Sequence, residues 1–446
     1  MTLCAAAMAE PLTLTLDQAV ERALKTDPRI AERQRLVDVA QGLLAEVNGN
    51  EGWKFDANTF LAVSPGVNGN IFRGGACAPG NCALRTDRYD LGNNGLSPWV
   101  NLQMSILKPL STFGKIEHYA SAARANIEVK EGDVRTQRAA TILDVKRAYY
   151  GHLAAHDARL FLEDVRKGIT KTIGIAEEWL ENGEGEGDIR QADLYALRAA
   201  RSLVGGYITQ AEGMEKVAIE GLKVLTGIPA EERMTLAGSG LSPVPLPEGA
   251  LPALQEQALA KRPEMAQVEA GLRARRSLVE ARRAERLPNL YAGVAGILSY
   301  SPNRDNLKNP YIYDPFNTIG LTPMIGLKWD WQPRVQDAKL AQESAELNAL
   351  LAKSDLARQG IPFQVAEQYH QVQADHTKVQ QLGEGSRNAR RWMIARYADF
   401  EAGMEIAERV INAFQGYVLI HTDYIRAIYD YNMRVAQLHS VTGTEE

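Results

Sequence analysis

Four short segments of the chain alternate apolar and polar residues with a period of two, which is typical of β-strands with one apolar and one polar face. These segments are residues 53–63, 98–107, 289–300 and 318–330. Such strands fit a half-buried sheet, and they fit equally well a barrel wall with lipid outside and water inside. Tryptophans at the strand ends fit an aromatic girdle of a membrane barrel, and they are also common in soluble sheets: Trp53, Trp99, Trp329 and Trp331.

Each pair of strands is followed by a long stretch that favours helix. No proline occurs between Pro109 and Pro229, and residues Lys115 to about Asn182 favour helix nearly throughout. A second helix over about 188–226 returns after a glycine-rich turn and ends at Thr226-Gly227. The first helix carries a seven-residue series that predicts a left-handed coiled coil: Ile127, Val134, Thr141, Ala148, Ala155, Leu162, Ile169 and Ala176.

The C-terminal part of the chain predicts the same helical hairpin. Its first helix begins near residue 334, turns near Phe400–Gly403 and returns to Thr442-Gly443. Pro362 is expected to kink that first helix, because proline removes a backbone donor and clashes with the preceding turn. Residues 16–47 predict a further helix at the start of the chain.

The chain is an internal duplication. A shift of 235 residues places Leu16, Ala23 and Pro28 on Leu251, Ala258 and Pro263, and a shift of 220 places Val145 and Tyr149 on Val365 and Tyr369. Two tandem copies favour one pseudo-symmetric body over a catalytic domain with an appendage. The predicted organisation is a signal-peptide remnant over 1–9, a first repeat over 10–227, a linker over 228–250 and a second repeat over 251–446.

Composition narrows the function. The net charge of −5 gives no basic face for nucleic acid, and seven His and three Cys leave little material for a metal cluster. No apolar run reaches the ~18–20 residues that a membrane-spanning helix needs. Ala7-Met8-Ala9 has the form of a signal-peptide cleavage site, with Glu10 as the mature start, while Cys4 leaves a lipoprotein anchor as the alternative.

Several motifs occur in a fixed order: LTLDQAVERALKTDPRI with its echo ALPALQEQALAKRPEM, then KPLSTFGK at 108–115, and LKVLTGIP and HSVTG at the two hairpin ends. In this order and duplication the chain resembles the bacterial outer-membrane efflux proteins, the TolC-like outer-membrane factor family. The resemblance covers nearly everything from Leu14 to Gly443. It implies a mainly α fold with a transmembrane β-barrel part, built in each half from two strands and a long antiparallel coiled-coil hairpin.

The resemblance also implies a homotrimer. Three chains with four strands each would close a barrel in the outer membrane, and their helices would form a hollow α-barrel that crosses the periplasm. The expected function is a passive exit duct of a tripartite efflux or type I secretion system, with outer-membrane lipid, a periplasmic adaptor and an inner-membrane pump as partners. The alternative is a soluble periplasmic coiled-coil scaffold protein.

Candidate site residues follow from the same picture. The wetted barrel lumen is assigned to Lys54, Asp56, Asn101, Gln103, Lys328 and Asp330, although a solvent-facing sheet surface would look similar. Candidates for a closed aperture are Asp399, Glu401, Glu405 and Glu408, since threefold rings of acids attract cations, whereas a solvated helix surface is the alternative. The adaptor-docking turns are placed at Gly183, Glu184, Phe400 and Gly403. These turns lack the Gly-Leu pair usual in the family.

Two further expectations concern the cysteines and catalysis. Cys77 and Cys82 lie five residues apart in a Gly/Pro/Asn loop, where they would close a small disulfide after export or remain two free thiols. The sequence contains no P-loop, no H-E-x-x-H and no G-x-S-x-G, so neither an enzymatic activity nor a cofactor is expected.

Overall fold

The computed structural model describes residues 12–66, 95–182, 189–238, 240–302, 304 and 314–444. Numbered in chain order, the helices are α1 Leu16–Thr26, α2 Pro28–Gly49, α3 Lys115–Asn182, α4 Gln191–Thr226, α5 Leu251–Lys261, α6 Pro263–Ala284, α7 Pro333–Glu401 and α8 Ala407–Thr442. The strands are β1 Leu12–Leu14, β2 Lys54–Pro65, β3 Leu96–Ser111, β4 Met234–Leu236, β5 Asn289–Tyr300 and β6 Thr318–Lys328.

The chain divides into two compact units, and each unit takes segments from both halves of the sequence duplication. The first unit contains residues 1–38, 128–270 and 350–446, and the second contains residues 39–127 and 271–349. Each compact unit therefore contains corresponding segments of both predicted repeats, as expected for an internally duplicated chain.

A four-stranded antiparallel sheet forms the centre of the second unit. Its strand order is β2-β3-β5-β6, so the inner pair joins one strand from each repeat. Met104 of β3 pairs with Ala57 of β2 and Gly296 of β5, and Gly296 pairs with Leu321 of β6. The four strands predicted from the two-residue alternation are confirmed. No described strand pairs with the outer edge of β2 or of β6.

The first unit is helical, and the predicted seven-residue series describes its buried seam. Of that series, Thr141, Ala155, Leu162, Ile169 and Ala176 are buried. The helical hairpins end where glycine was expected to stop them, because Gly227 and Gly443 adopt left-handed conformations with φ of 64° and 71°. Within the described residues, no helix is long and apolar enough to cross a membrane.

Two details of the helical unit differ from the sequence-based expectation. The helix expected over 16–47 is broken at Asp27 into α1 and α2, because Pro28 starts a new helix and cannot continue the old one. The three-residue strands β1 and β4 pair in parallel, which the alternation could not reveal, and β4 lies inside the predicted linker. The helix α7 includes Pro362, and the kink expected there stays a prediction.

The break between α1 and α2 is held by a buried carboxylate. Asp27 accepts hydrogen bonds from the Arg29 backbone N–H at 2.9 Å, from the Arg29 guanidinium at 2.8 Å and from the Thr141 hydroxyl at 2.6 Å. Burial opposes the ionisation of Asp27, but the hydrogen bonds from Arg29 and Thr141 outweigh it and hold its pKa below the ordinary value. The guanidinium of Arg29 also reaches Asp144 at 2.9 Å.

The second repeat uses the same positions with exchanged charges. The shift of 235 places Asp27 and Arg29 on Arg262 and Glu264, which pair at 3.0 Å. The Arg262 guanidinium also donates to Gln364 at 2.7 Å, and Gln364 is the counterpart of Asp144 under the shift of 220. Both helix junctions therefore carry an ion pair, with the acidic and basic residues in the opposite order.

We expect Asp27→Asn to lower the free energy of unfolding by about 2 kcal/mol, because a buried charged acceptor loses its charge-assisted hydrogen bonds. The pKa of Asp27 is lower in the folded chain than in the unfolded chain. Its contribution is therefore complete above its ordinary pKa near 3.8 and is lost as the pH falls through the lowered value. Melting temperatures of wild type and variant at pH 7 and in acid test this expectation.

The matched control is Asp38→Asn. Asp38 pairs with Arg35 at 2.9 Å, but its side chain is 56% exposed, so its removal should change stability by less than about 1 kcal/mol. Equal losses for the two variants at pH 7, or a gap between wild type and Asp27→Asn that does not narrow in acid, would contradict the role of Asp27.

Candidate functional site

The strand register places most of the predicted lumen residues on one face of the sheet. Cross-strand partners of an antiparallel pair share a face. Asp56 pairs with Ser105, and Asn58 pairs with Gln103, while Lys54 is two residues from Asp56 and shares its side. The same face continues to Asn101 and, on the other edge, to Lys328, whereas Asp330 lies beyond the end of β6. The assignment of this polar face to a channel lumen stays a prediction.

The opposite face of the sheet is apolar, and nothing in the described chain covers it. On β6, its most exposed members are Ile319 at 84%, Leu321 at 76% and Ile325 at 76%. Other large apolar side chains exposed on this face are Phe55, Leu61, Val63, Val100, Met104, Ile106, Leu298, Tyr300 and Leu327. An exposed apolar area of this extent marks a surface that meets protein or lipid rather than water.

Tryptophans mark the end of the sheet at which the strands join the helices. Trp53, Trp329 and Trp331 are all exposed there, with the rings of Trp329 and Trp331 5.1 Å apart. The Lys108 ammonium lies 5.8 Å from the ring centre of Trp53. Trp99 does not belong to this group: it lies near the other end of the sheet and on the polar face, where its ring contacts Phe60.

The turn between α7 and α8 is organised by a buried carboxylate. Glu405 is 6% exposed and contacts the guanidinium groups of Arg396 and of Arg409, the latter at 3.2 Å. Burial opposes the ionisation of Glu405, but the backbone N–H of Ile406 and the two arginines outweigh it and hold the pKa of Glu405 below its ordinary value. The Glu405 carboxylate therefore stabilises the turn through the two arginines, and its role at an aperture stays a prediction.

The other aperture candidates are placed differently. Glu401 and Glu408 are exposed, and Asp399 is half-buried at 3.9 Å from Arg396. Among the docking candidates at this turn, Phe400 is fully buried, with its ring centre 5.0 Å from that of Trp179. Gly403 is half-buried and has a φ of 77°, a conformation that favours glycine. Their roles in gating and docking stay predictions.

The turn between α3 and α4 and the loop with the two cysteines are not among the described residues. Gly183 and Glu184, and also Cys77 and Cys82, lie outside the described residues. Within the described ranges, no group of three or more His, Cys, Asp or Glu side chains is arranged to hold a metal ion.

Sequence reasoning missed the partners of Glu405. Arg409 lies four residues after Glu405, but Arg396 lies nine residues before it on the other side of the turn. The i,i+4 spacing of Glu405 and Arg409 was the one available signal. The pairing with Arg396 depends on how the turn folds back and has no periodic sequence pattern.

Comparisons with known proteins agree with this geometry. No protein-family model matches the chain. The chain is 23% identical over 348 residues to the alkaline protease secretion protein AprF of Pseudomonas aeruginosa, an alignment that covers 76% of this chain and 69% of that protein.

Solved structures share the fold over nearly the whole chain. The Campylobacter jejuni CmeC outer membrane channel matches with a TM-score of 0.75 at 14% identity, over 97% of this chain and 87% of that one. The Neisseria gonorrhoeae MtrE outer membrane channel in its open state matches with a TM-score of 0.73 at 15% identity, over 96% and 88%. The predicted resemblance to TolC-like proteins and the predicted fold class are confirmed at the level of the fold.

We expect Glu405→Gln to loosen the turn between α7 and α8, because the arginines lose their shared buried counter-charge. Amide hydrogen exchange over residues 400–407 should become about tenfold faster. Glu408→Gln removes an exposed acid from the adjoining helix and should leave that exchange unchanged. Hydrogen exchange of both variants can be measured by mass spectrometry. Equal exchange rates in wild type and Glu405→Gln would refute the role of Glu405 in stabilising this turn.

Proposed function

We propose that this chain is the outer-membrane channel of an efflux or type I secretion system, spanning the outer membrane and extending into the periplasm. The observation that carries the proposal is the four-stranded sheet with one polar face and one apolar face whose large side chains are exposed on β2 and β6. The named functions of the relatives support it, since CmeC and MtrE are outer membrane channels and AprF is a secretion protein.

The apolar face separates this function from the alternative of a soluble scaffold. A sheet in the periplasm would leave Ile319, Leu321 and Ile325 in water, where each exposed side chain of this size forgoes roughly 1.5–3 kcal/mol of burial free energy. In a bilayer the same side chains lie in hydrocarbon. The exposed tryptophans at the helix end of the sheet suit the membrane interface, where an amphipathic ring is favoured.

The unpaired edges of the sheet suggest how the channel is built. In a bilayer, every unpaired backbone N–H and C=O costs several kcal/mol, so β2 and β6 must find partners. If β6 of one copy pairs with β2 of the next, the sheet closes into a cylinder with no free edge. The resemblance to TolC-like proteins implies three copies, so we propose a homotrimer in which four strands from each chain form a twelve-stranded barrel.

A duct of this kind is passive. The relatives are channels rather than enzymes, and we propose that this chain likewise catalyses nothing. Energy would then come from an inner-membrane pump, connected to the channel through a periplasmic adaptor. The polar face with Lys54, Asp56, Gln103 and Lys328 would line the lumen. Cargo would pass along a wetted wall that carries both signs of charge.

Arginine substitutions on opposite faces of β6 test the membrane assignment. Leu321 lies on the apolar face and the adjacent Thr322 lies on the polar face, and both are exposed. Leu321→Arg should destabilise the inserted barrel by ~3 kcal/mol and reduce the trimer in the outer-membrane fraction, whereas Thr322→Arg should insert normally. Fractionation and detergent extraction, followed by sizing of the extracted protein, measure this difference.

Release of the unaltered protein as a monomer in aqueous buffer would contradict both membrane insertion and the trimer. Equal insertion of Leu321→Arg and Thr322→Arg would refute the orientation of the sheet alone.

The exposed acids next to the α7–α8 turn should influence ion selectivity. In a trimer, Glu401 and Glu408 become rings of three carboxylates, which attract cations at the aperture. Replacing both with Gln should weaken the cation preference measured from reversal potentials in planar bilayers. Glu405→Gln should have a smaller effect on selectivity, because Glu405 is already neutralised by two arginines. An unchanged reversal potential for the double variant would exclude these acids from the aperture.

A further inference from the structure

Three aromatic rings meet on the polar face of the sheet, near the end away from the helices. We call Phe60, Trp99 and Phe316 the aromatic cluster. The Trp99 ring lies edge-on to both neighbours, with ring centres 4.9 Å from Phe60 and 4.9 Å from Phe316. Phe60 is 40% exposed, and Trp99 and Phe316 are half-buried. An aromatic cluster is unexpected on a face whose other members are mainly polar or small.

The aromatic cluster is held by a hydrogen-bonded scaffold. The indole N–H of Trp99 donates to the Ser299 hydroxyl at 2.7 Å, and that hydroxyl donates to the Pro315 carbonyl at 2.7 Å. Behind Phe316, Arg304 and Asp314 form a buried ion pair at 2.9 Å, and the Arg304 guanidinium lies 4.5 Å from the Phe316 ring centre. The Trp99 and Phe316 rings are therefore fixed in position, and the charges of Arg304 and Asp314 behind Phe316 cancel.

A buried amide lies on the same face beside the rings. Asn101 is the cross-strand partner of both Phe60 and Ser299, and it is two residues from Trp99 along β3. Asn101 is 3% exposed, and its side-chain oxygen has no hydrogen-bond partner among the described residues. Because buried polar atoms in folded proteins nearly always have a partner, an acceptor left in this way points to a missing donor.

We propose that the aromatic cluster and Asn101 form a binding site for flat aromatic solutes that carry an N–H donor. The solute ring stacks on the face of Trp99 with Phe60 against its edge, and its N–H donates to the Asn101 oxygen once the Phe60 side chain has turned aside. Because the Phe60 and Trp99 rings are almost perpendicular, a flat solute that stacks on one of them meets the other edge-on. One part of this inference rests on the proposed function. In a closed channel the polar face borders the lumen, so transported solutes would contact the site.

The chemistry of the site predicts its selectivity. Since the ion pair of Arg304 and Asp314 is neutral as a whole, ring stacking and one hydrogen bond, rather than net charge, decide what binds. Three water-soluble carboxylates separate these contributions. Indole-3-acetate has the ring and its N–H, 1-methylindole-3-acetate keeps the ring without that donor, and cyclohexylacetate has neither.

Saturation-transfer NMR on the purified full-length protein in detergent measures the binding of each probe. We expect indole-3-acetate to bind several-fold more tightly than 1-methylindole-3-acetate, and cyclohexylacetate to bind least. Trp99→Leu and Phe60→Leu should each weaken indole-3-acetate about fivefold, because each removes one aromatic contact. Asn101→Ala should abolish the preference for the N–H without abolishing ring binding. Trp331→Leu, on an exposed tryptophan at the other end of the sheet, is the matched control and should change nothing.

Equal binding of the three probes to the unaltered protein would overturn the site, as would a loss in Trp331→Leu as large as in Trp99→Leu. The comparison of probes needs no variant, so the proposal remains falsifiable if Trp99→Leu does not fold. Binding in detergent does not depend on membrane insertion. Channels in planar bilayers without probe binding would therefore refute the site alone, whereas probe binding without channels would refute the duct and leave the site standing.

Discussion

The four-stranded sheet has apolar side chains on one face and mainly polar side chains on the other. Within the described residues, no strand pairs with the outer edges of β2 and β6. These two facts constrain everything else that is proposed for this chain. In water, a single copy would leave Leu321 and its neighbours exposed, and in a bilayer it would leave the edge backbone groups of β2 and β6 without partners. Self-association within a bilayer, as proposed, would satisfy both. The helical unit buries the seam of α3 but also exposes large apolar side chains, among them Val217, Val224 and Phe363.

The pairing of carboxylates with arginines determines which acids remain available for function. Glu405 and Asp27 are both buried, both lowered in pKa and both located where one helix gives way to the next. Each uses its charge to fix a helix junction. Glu401 and Glu408 have no such burial, and their charge is exposed to solvent. Burial thus separates Glu405, which fixes a helix junction, from exposed acids in a cluster that looks uniform in sequence.

Much of the fold was predictable because it is periodic. The two-residue alternation located β2, β3, β5 and β6, and the seven-residue series located the buried side of α3. What escaped prediction depends on contacts between distant residues. The three-residue pair of β1 and β4 is too short to show a period, and the junction at Asp27 depends on Thr141, more than a hundred residues away. The prediction for Trp99 was wrong for another reason. Its position at a strand end suggested the aromatic girdle of a membrane barrel, but its spacing from Asn101 and Gln103 places it on the polar face of the sheet.

The exchanged ion pairs at the two helix junctions carry a consequence for the assembly of the molecule. If the junction of the first repeat docked onto the helix of the second, Asp27 would keep its hydrogen bonds from Arg29 but would meet Ile361, the counterpart of Thr141, and would lose its hydroxyl donor. Arg29 would then face the neutral Gln364 in place of Asp144. The first junction therefore fits its own long helix better than the helix of the second repeat, which disfavours crossed pairing of a repetitive chain.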